Sequence, residues 1–216
     1  MTTPDPAASD PRQELARPRG GAIAWLALGV ALVMLVWPMI RSRIPMPAPS
    51  DLPAAEVARG YPEWSGRVGG AKDLRGQRGP DVEVAQWITD VPDLDDRVIV
   101  IDFWATWCGP CVQAIPHMNE LAMAFPDDVT VIGLSNEAAP QFEAGIQAIR
   151  RPVSRFDYSL ALDPQARMQR AVQVRGIPHC IVMSRDGVVR WQGHPGRLTQ
   201  DVLGQIVAAD RGGADA

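Results

Sequence analysis

Two cysteines separated by two residues, Cys108 and Cys111, directly follow an apolar run that predicts a buried strand. The run covers residues 98–103, and the motif itself reads Trp-Cys-Gly-Pro-Cys. Cysteines at this spacing can close a small disulfide ring and open it again without rebuilding the fold. The sequence therefore indicates redox chemistry at a point where a strand gives way to a helix.

The first turn of the following helix should stabilise one of the two thiolates. Backbone N–H groups in that turn lack intrahelical partners, and the helix dipole is positive there. We therefore expect Cys108 to be the acidic, attacking sulfur. Pro110 fits the first turn because its missing N–H would have had no partner.

A structural zinc site is the alternative interpretation of the motif. Such a site needs four ligands in two closely spaced pairs, whereas the chain has three cysteines and three histidines with no second pair. We therefore favour a redox-active disulfide between Cys108 and Cys111 and expect no bound metal and no cofactor.

Residues 21–40 carry no charged side chain and predict one transmembrane helix. At about 1.5 Å per residue this run spans the roughly 30 Å hydrocarbon core of a bilayer. It is longer than the apolar part of a cleavable signal, which is about 7–15 residues. A cleaved signal peptide is the alternative, against which Arg41 and Arg43 directly after the run argue.

Positive charge around this span sets the expected orientation. Three arginines and the terminal amine precede it and two arginines follow it, which favours an inside N-terminus. We therefore expect a single-pass inner-membrane protein whose C-terminal domain lies in the periplasm, where disulfide chemistry is routine.

Composition divides the rest of the chain. Residues 1–20 predict a disordered cytoplasmic tail, and residues 41–79 a linker rich in proline and glycine. Residues 80–210 are long enough for one core, and residues 211–216 predict a second disordered tail. Within the domain, strands are expected at 82–87, 98–103, 129–135, 180–184 and 188–192, and helices at 110–125, 140–151, 164–174 and 199–209.

This pattern resembles a known family. The stretch VIVIDFWATWCGPC, residues 98–111, resembles the active-site strand and helix of thioredoxins, and Gly176-Ile177-Pro178 resembles the loop whose proline is cis in that family. With the anchor and an extra helical stretch at about 140–170, the chain is similar to the TlpA/ResA/DsbE-like membrane-anchored thioredoxins. The resemblance implies an α/β thioredoxin-like fold, a mixed β-sheet sandwiched by helices and preceded by one transmembrane helix.

The resemblance also implies roles for particular residues. Cys108 would be the nucleophile, Cys111 the resolving cysteine, and Asp102 the buried acid that helps Cys111 lose its proton. An apolar environment raises the pKa of a carboxyl group toward neutrality, which suits proton exchange with a thiol. An ordinary structural aspartate is the alternative for Asp102.

Five further residues are implied to contact the client protein. Trp107, Gly109 and Pro110 flank the disulfide, Pro178 would face it, and Ile177 would offer backbone hydrogen bonds to an extended client segment. The Gly109-Pro110 pair is that of reducing thioredoxins, which favours net reduction. Simple packing is the competing account for Trp107, and also for Pro116 within the helix.

Three positions depart from the family pattern or extend it. Ala114 stands where many of these proteins have a glutamate, which leaves proton handling to Asp102 and weakens the link to cytochrome c maturation. His179 is expected either beside the disulfide or on a solvated rim. Cys180 is expected to be a buried, inert thiol, with a third redox or metal-binding sulfur as the alternative. His117 and His194 are expected at the surface.

These observations predict a protein-disulfide reductase that acts on disulfide-containing clients and receives electrons from a membrane thiol reductase. The alternative is a copper-handling or oxidase-assembly protein that binds Cu(I) through the same cysteines. A peroxide-reducing relative is disfavoured, because a resolving cysteine so close to the nucleophile suits disulfide exchange. The net charge of −4, with Lys72 the only lysine, argues against nucleic-acid binding, and we expect a monomer.

Overall fold

The computed structural model describes residues 60–62, 67–149 and 153–214. The predicted cytoplasmic tail, the predicted anchor at 21–40 and most of the predicted linker lie outside these residues. Across the described part of the chain, the helices are all too short or too polar to cross a membrane.

A mixed sheet forms the centre of the domain, as the sequence predicts. Its central strand pairs in parallel with the strand that follows it in the chain and antiparallel with the first strand of the C-terminal hairpin. Six strands occur within the described residues, in the order β1-β4-β3-β2-β5-β6. They are β1 Gln86–Trp87, β2 Val98–Trp104, β3 Val129–Ser135, β4 Ser159–Leu162, β5 His179–Met183 and β6 Val189–Gly193.

Helices cover both faces of this sheet. They are α1 Gly109–Ala124, α2 Ala139–Ala148, α3 Arg167–Val172 and α4 Gln200–Ala214. One face of β2 packs in the apolar core that includes residues of α1, α2 and α4, and this core contains Cys108 and Cys111. The other face packs against α3 and Leu74. The sheet is therefore sandwiched, and the motif lies in the layer of α1.

The structure corrects several predicted boundaries. Strand β4 lies within the stretch at 140–170 predicted to be helical, and β1 is only two residues long. Helix α4 continues to Ala214, so residues 211–214 are helical where the sequence predicts a disordered tail. Leu74 is buried and its N–H donates to the Gln192 side chain, so the end of the predicted linker packs on the domain.

Candidate active site

Cys108 and Cys111 form a disulfide at the amino end of α1, with their Cα atoms 5.2 Å apart. Cys108 is the N-cap residue, and its sulfur accepts a hydrogen bond from the backbone N–H of Cys111 at 3.3 Å. Pro110 occupies the first turn, as predicted. When the disulfide opens, the Cys108 sulfur retains this donor and the positive end of the helix dipole, which both favour the thiolate.

Exposure differs along the motif in a way that fits an attacking and a resolving sulfur. Trp107 is 72% exposed, whereas Cys108 is 6% exposed and Cys111 is 1% exposed. A partner protein therefore meets the Trp107 ring first and reaches Cys108 more readily than Cys111. The order of exposure matches the order of attack implied by the resemblance.

Asp102 lies in the middle of β2, opposite Gly133 of β3 and Cys180 of β5. Its neighbours of the same strand face, Val100 and Trp104, belong to the core that contains the disulfide, so its carboxyl group points into the layer of α1. Burial raises the pKa of this carboxyl group to about 7. Its Oδ1 atom has no hydrogen-bond partner among the described residues.

The loop at 176–178 leads into β5 at the end of the sheet where the cysteine motif lies. The Ile177–Pro178 peptide is cis, as predicted. His179, the first residue of β5, pairs with Phe103 near the end of β2, so the loop before it and the loop after β2 emerge together. Ile177 packs against both apolar cores.

Comparison with known proteins decides the family. The sequence pattern of the AhpC/TSA family matches residues 75–192, more than half of the chain. The chain belongs to the AhpC/TSA family of thioredoxin-like proteins. Its cysteine pair lies in the loop after β2 and at the start of α1, within the matched residues.

Individual relatives agree with this assignment. The Bacillus subtilis thioredoxin-like protein YneN is 24% identical over 138 residues, which are 62% of this chain and 79% of that protein. A Mycobacterium bovis thioredoxin is 35% identical over 68 residues, 32% of this chain and 58% of the thioredoxin. A crystal structure of a thioredoxin-like superfamily protein shares 26% identity and a TM-score of 0.50 over 61% of this chain and 94% of that one. The expected enzyme class, a thiol-disulfide oxidoreductase of thioredoxin-like type, is confirmed.

The structure places His179 neither beside the disulfide nor on a solvated rim, the two positions that the sequence suggested. The side chain is 2% exposed, so it is not a solvated rim histidine. It lies across the strand pair from Phe103, whose ring belongs to the core on the face opposite the disulfide. Burial, with a smaller contribution from the charge of His194, lowers the pKa of His179 to about 4, so the ring is neutral at pH 7.

The structure also shows where Cys180 and the other two histidines lie. Cys180 is fully buried, and burial, with a smaller contribution from Asp102, raises the pKa of its thiol well above the ordinary value. The expectation that Cys180 is buried is confirmed. His194 is exposed, whereas His117 is half-buried and its ring lies 2.9 Å from the carbonyl oxygen of Leu198, so only His194 is a surface residue. The part of the chain that the structure describes contains no group of three metal-ligating side chains.

Sequence reasoning missed one buried carboxylate that contacts the active-site loop. Glu137 lies two residues after β3 and accepts hydrogen bonds from the backbone N–H of Thr106 at 2.8 Å and from its hydroxyl at 2.6 Å. The hydroxyl of Ser135 donates to the same carboxylate at 2.8 Å. Because Thr106 lies two residues before Cys108, Glu137 fixes the loop that leads to Cys108.

Helix α2 approaches the same loop closely at a glycine. A Cβ atom at Gly145 would overlap the hydroxyl and Cβ of Thr106, so the helix can lie here only because the side chain is absent. Thr106 is thus held by Glu137 on one side and covered by α2 on the other. An acid just after a strand that runs parallel to β2 was the available signal, since polar groups at the carboxyl ends of parallel strands share one edge.

Proposed function

We propose that this protein is a membrane-tethered, extracytoplasmic thiol-disulfide oxidoreductase that reduces disulfides in client proteins through Cys108 and Cys111. The single observation that carries the proposal is the Cys108–Cys111 disulfide at the N-terminus of α1, with the Cys108 sulfur as the cap. A sulfur in that position is stabilised as a thiolate and serves as both nucleophile and leaving group.

The first step forms a bond between Cys108 and the client. In the reduced protein, the Cys108 thiolate attacks one sulfur of the client disulfide, and the second client sulfur leaves as a thiolate. The Cys111 N–H stabilises Cys108 before this attack. The product is a mixed disulfide, and one client thiolate takes a proton from water.

The second step releases the client. Asp102 accepts the proton of the Cys111 thiol, and the Cys111 thiolate attacks the Cys108 sulfur, so the client sulfur that is bonded to Cys108 leaves as a thiolate. Two electrons have then passed to the client, and the Cys108–Cys111 disulfide of the structure is restored. A carboxyl group with a pKa of about 7 exchanges this proton readily near neutral pH.

Return to the dithiol requires a reductant, and we assign this role to a membrane thiol reductase. The supporting feature is the uncharged run at 21–40, which would hold the domain on the membrane that carries the donor. Tethering two proteins to one membrane raises their effective concentration, so the donor need not bind tightly.

Reduction of insulin disulfides by the full-length chain, with a dithiol as donor, tests the reaction. We expect Cys108→Ser to abolish turnover, because no nucleophile remains, and Cys111→Ser to accumulate mixed disulfides through Cys108. Cys180→Ala is the matched control and should retain turnover. Absence of turnover in the wild-type chain, or adducts that form equally in the Cys108→Ser variant, would overturn the proposal.

Membrane location has its own test. The full-length chain expressed in bacteria should stay in the membrane fraction after an alkaline wash, and protease added to spheroplasts should digest the C-terminal domain. A variant that lacks residues 21–40 should be lost from the membrane fraction. Protection of the domain from protease in intact spheroplasts would contradict the proposed orientation.

A further inference from the structure

A cavity of about 590 Å³ opens beside the loop that carries Pro178 and is not used by the exchange mechanism. The loop at 176–178 forms one wall together with the end of β6 and the turn Pro195–Arg197 that follows it. Residues 67–70 and Arg75 form a second part of the lining. Because Ile177 belongs to its lining, a client segment that pairs with the Ile177 backbone would run along the cavity mouth.

Hydrogen bonds hold the segment that contains this second part of the lining to the rest of the domain. The carbonyl oxygen of Gly70 accepts from the N–H of Arg175 at 2.6 Å. The buried Gln192 of β6 accepts from the N–H of Leu74 at 2.9 Å and donates to the carbonyl oxygen of Lys72 at 2.8 Å. The cavity is therefore bounded by backbone anchored on both sides, and it exists before any ligand binds.

The charge of this cavity is opposite to that of the whole chain. Its charged lining side chains are Arg67, Arg75 and Arg197, and no carboxylate occurs among the described residues that line it. The chain as a whole has a net charge of −4. Asp73 pairs with Arg75 at 2.7 Å, so Arg67 and Arg197 provide most of the positive field.

The remaining lining determines which anion fits. Apolar groups of Val68, Ile177 and Trp191 lie in the same cavity as the arginines. A side chain with an apolar stem and a carboxylate at its end can contact both, because the stem lies against apolar surface while the charge reaches a guanidinium group. Glutamate has this structure.

We propose that the cavity binds an acidic side chain, most favourably glutamate, of a client segment that lies along Ile177. This inference rests on the proposed reductase function and adds to it a preference for clients with acidic residues close to the reactive cysteine. Charge complementarity would act mainly on the rate at which reduced protein and client associate.

The test uses sets of three disulfide peptides, and the three members of a set differ at one position near the reactive cysteine. Glu, Gln or Lys is placed in turn at each of the two positions on either side of that cysteine. The reduced full-length chain in nonionic detergent is mixed with each peptide in single turnover, and acid-quenched samples are analysed by mass spectrometry. At the preferred position we expect the Glu peptide to react about fivefold faster than the Gln peptide at low salt, and the Lys peptide to be slowest.

Two variants and one control assign this preference to the cavity. Arg67→Gln and Arg197→Gln should each reduce the Glu-to-Gln rate ratio, and about 1 M salt should bring it close to one. Arg155→Gln removes the same charge from an exposed position outside the cavity and should keep the ratio.

The two proposals fail differently. Equal rates for the Glu and Gln peptides at every position, or a ratio unaffected by both cavity variants, would overturn the acidic-client inference while leaving the reductase function intact. Failure of every peptide to react would instead remove the reductase function on which it rests.

Discussion

At the scale of single residues, the loop that leads to Cys108 is held by the buried carboxylate of Glu137. Glu137 takes two hydrogen bonds from Thr106 and one from Ser135. All three groups are buried, so removal of the acceptor leaves three donors without partners. Each such donor costs about 1–3 kcal/mol when its partner is lost and the loop does not relax. Glu137 is therefore a positioning residue for Cys108.

Two substitutions separate the position of this loop from the charge that holds it. Glu137→Gln keeps an oxygen for the Thr106 N–H and the Ser135 hydroxyl, and its amide can donate to the Thr106 hydroxyl. We expect this variant to keep the Cys108 alkylation rate, whereas Glu137→Ala should lower that rate severalfold at neutral pH. The pH profile of iodoacetamide alkylation of the reduced protein measures the rate in both variants, and it should move to higher pH only in the alanine variant.

The control for Glu137 is a second buried carboxylate, whose hydrogen bonds go to α3 and not to Thr106. Asp163 accepts hydrogen bonds from Arg167 and from the Met168 N–H at the start of α3. Asp163→Ala should lower the free energy of unfolding by a similar amount and leave the alkylation profile unchanged. A shift of the profile in Asp163→Ala as large as in Glu137→Ala would show that Glu137 acts only through general stability.

At the scale of secondary-structure elements, α2 can cover the active-site loop only through Gly145. Gly145→Ala would bring a Cβ atom into the Thr106 side chain, so the helix or the loop must move. We expect the free energy of unfolding to fall by about 1–3 kcal/mol, as in other overpacked cores. Urea denaturation of the full-length chain in nonionic detergent measures this change.

Gly212→Ala provides the matched control. It changes the same residue type inside α4, and a Cβ atom there would meet nothing within 4 Å. Its stability should be unchanged or slightly higher, because alanine favours helix over glycine. A loss of stability in Gly212→Ala equal to that in Gly145→Ala would contradict the role of close packing.

The elements also show how far the sequence alone could predict the fold. The seven-residue strands β2 and β3 and the sixteen-residue helix α1 have long patterns, and their predicted bounds differ from the observed ones by one residue at most. Strand β4 has only four residues and exists because it pairs in parallel with β3, a long-range contact that no local pattern records. Helix α3 begins late because Ala166 has a φ of 52°, which a helix cannot include.

The residues of the candidate site also divide into those that a local sequence pattern identifies and those that depend on long-range contacts. The cysteine pair, Asp102 and the cis proline occur at positions that a short motif and its spacing identify. Glu137 and the buried orientation of His179 depend on which strand lies beside β2 and on strand register, and these follow only from the assembled sheet. The cysteine pair, Asp102 and the cis proline were therefore predictable from the sequence, whereas Glu137 and the orientation of His179 were not.

At the scale of the whole molecule, two buried groups on opposite faces of the sheet have opposite effects on stability as pH changes. The pKa of Asp102 is raised by burial from 3.8 to about 7, so the folded protein keeps a proton that the unfolded chain loses. This contribution is fully present below pH 4 and disappears as pH rises to 7. The pKa of His179 is lowered by burial from 6.5 to about 4, so its contribution is present above pH 6.5 and disappears as pH falls to 4.

Between pH 4 and 6.5 these two proton differences cancel, because the folded chain holds one more proton at Asp102 and one fewer at His179. We therefore expect little net dependence of stability on pH from this pair. In Asp102→Asn, His179 is the remaining group of the pair whose protonation changes on folding. The free energy of unfolding should therefore fall on acidification by up to about 1.4 kcal/mol per pH unit. His179→Gln keeps an acceptor for Gln192, and Asp102 is then the remaining group of the pair whose protonation changes on folding. The free energy of unfolding should therefore rise on acidification with the same limiting slope.

Urea denaturation measures this dependence for the wild type, the two single variants and the double variant. The oxidised full-length chain is used in detergent at pH 4.5, 5.5 and 6.5, roughly spanning this window. The double variant should again be nearly flat, because both proton differences are then removed. Slopes of the same sign in the two single variants would show that one of the side chains is not buried as the structure has it. Opposite slopes that cancel in the wild type would establish that the acid below α1 and the histidine on the other face balance each other over the acidic range.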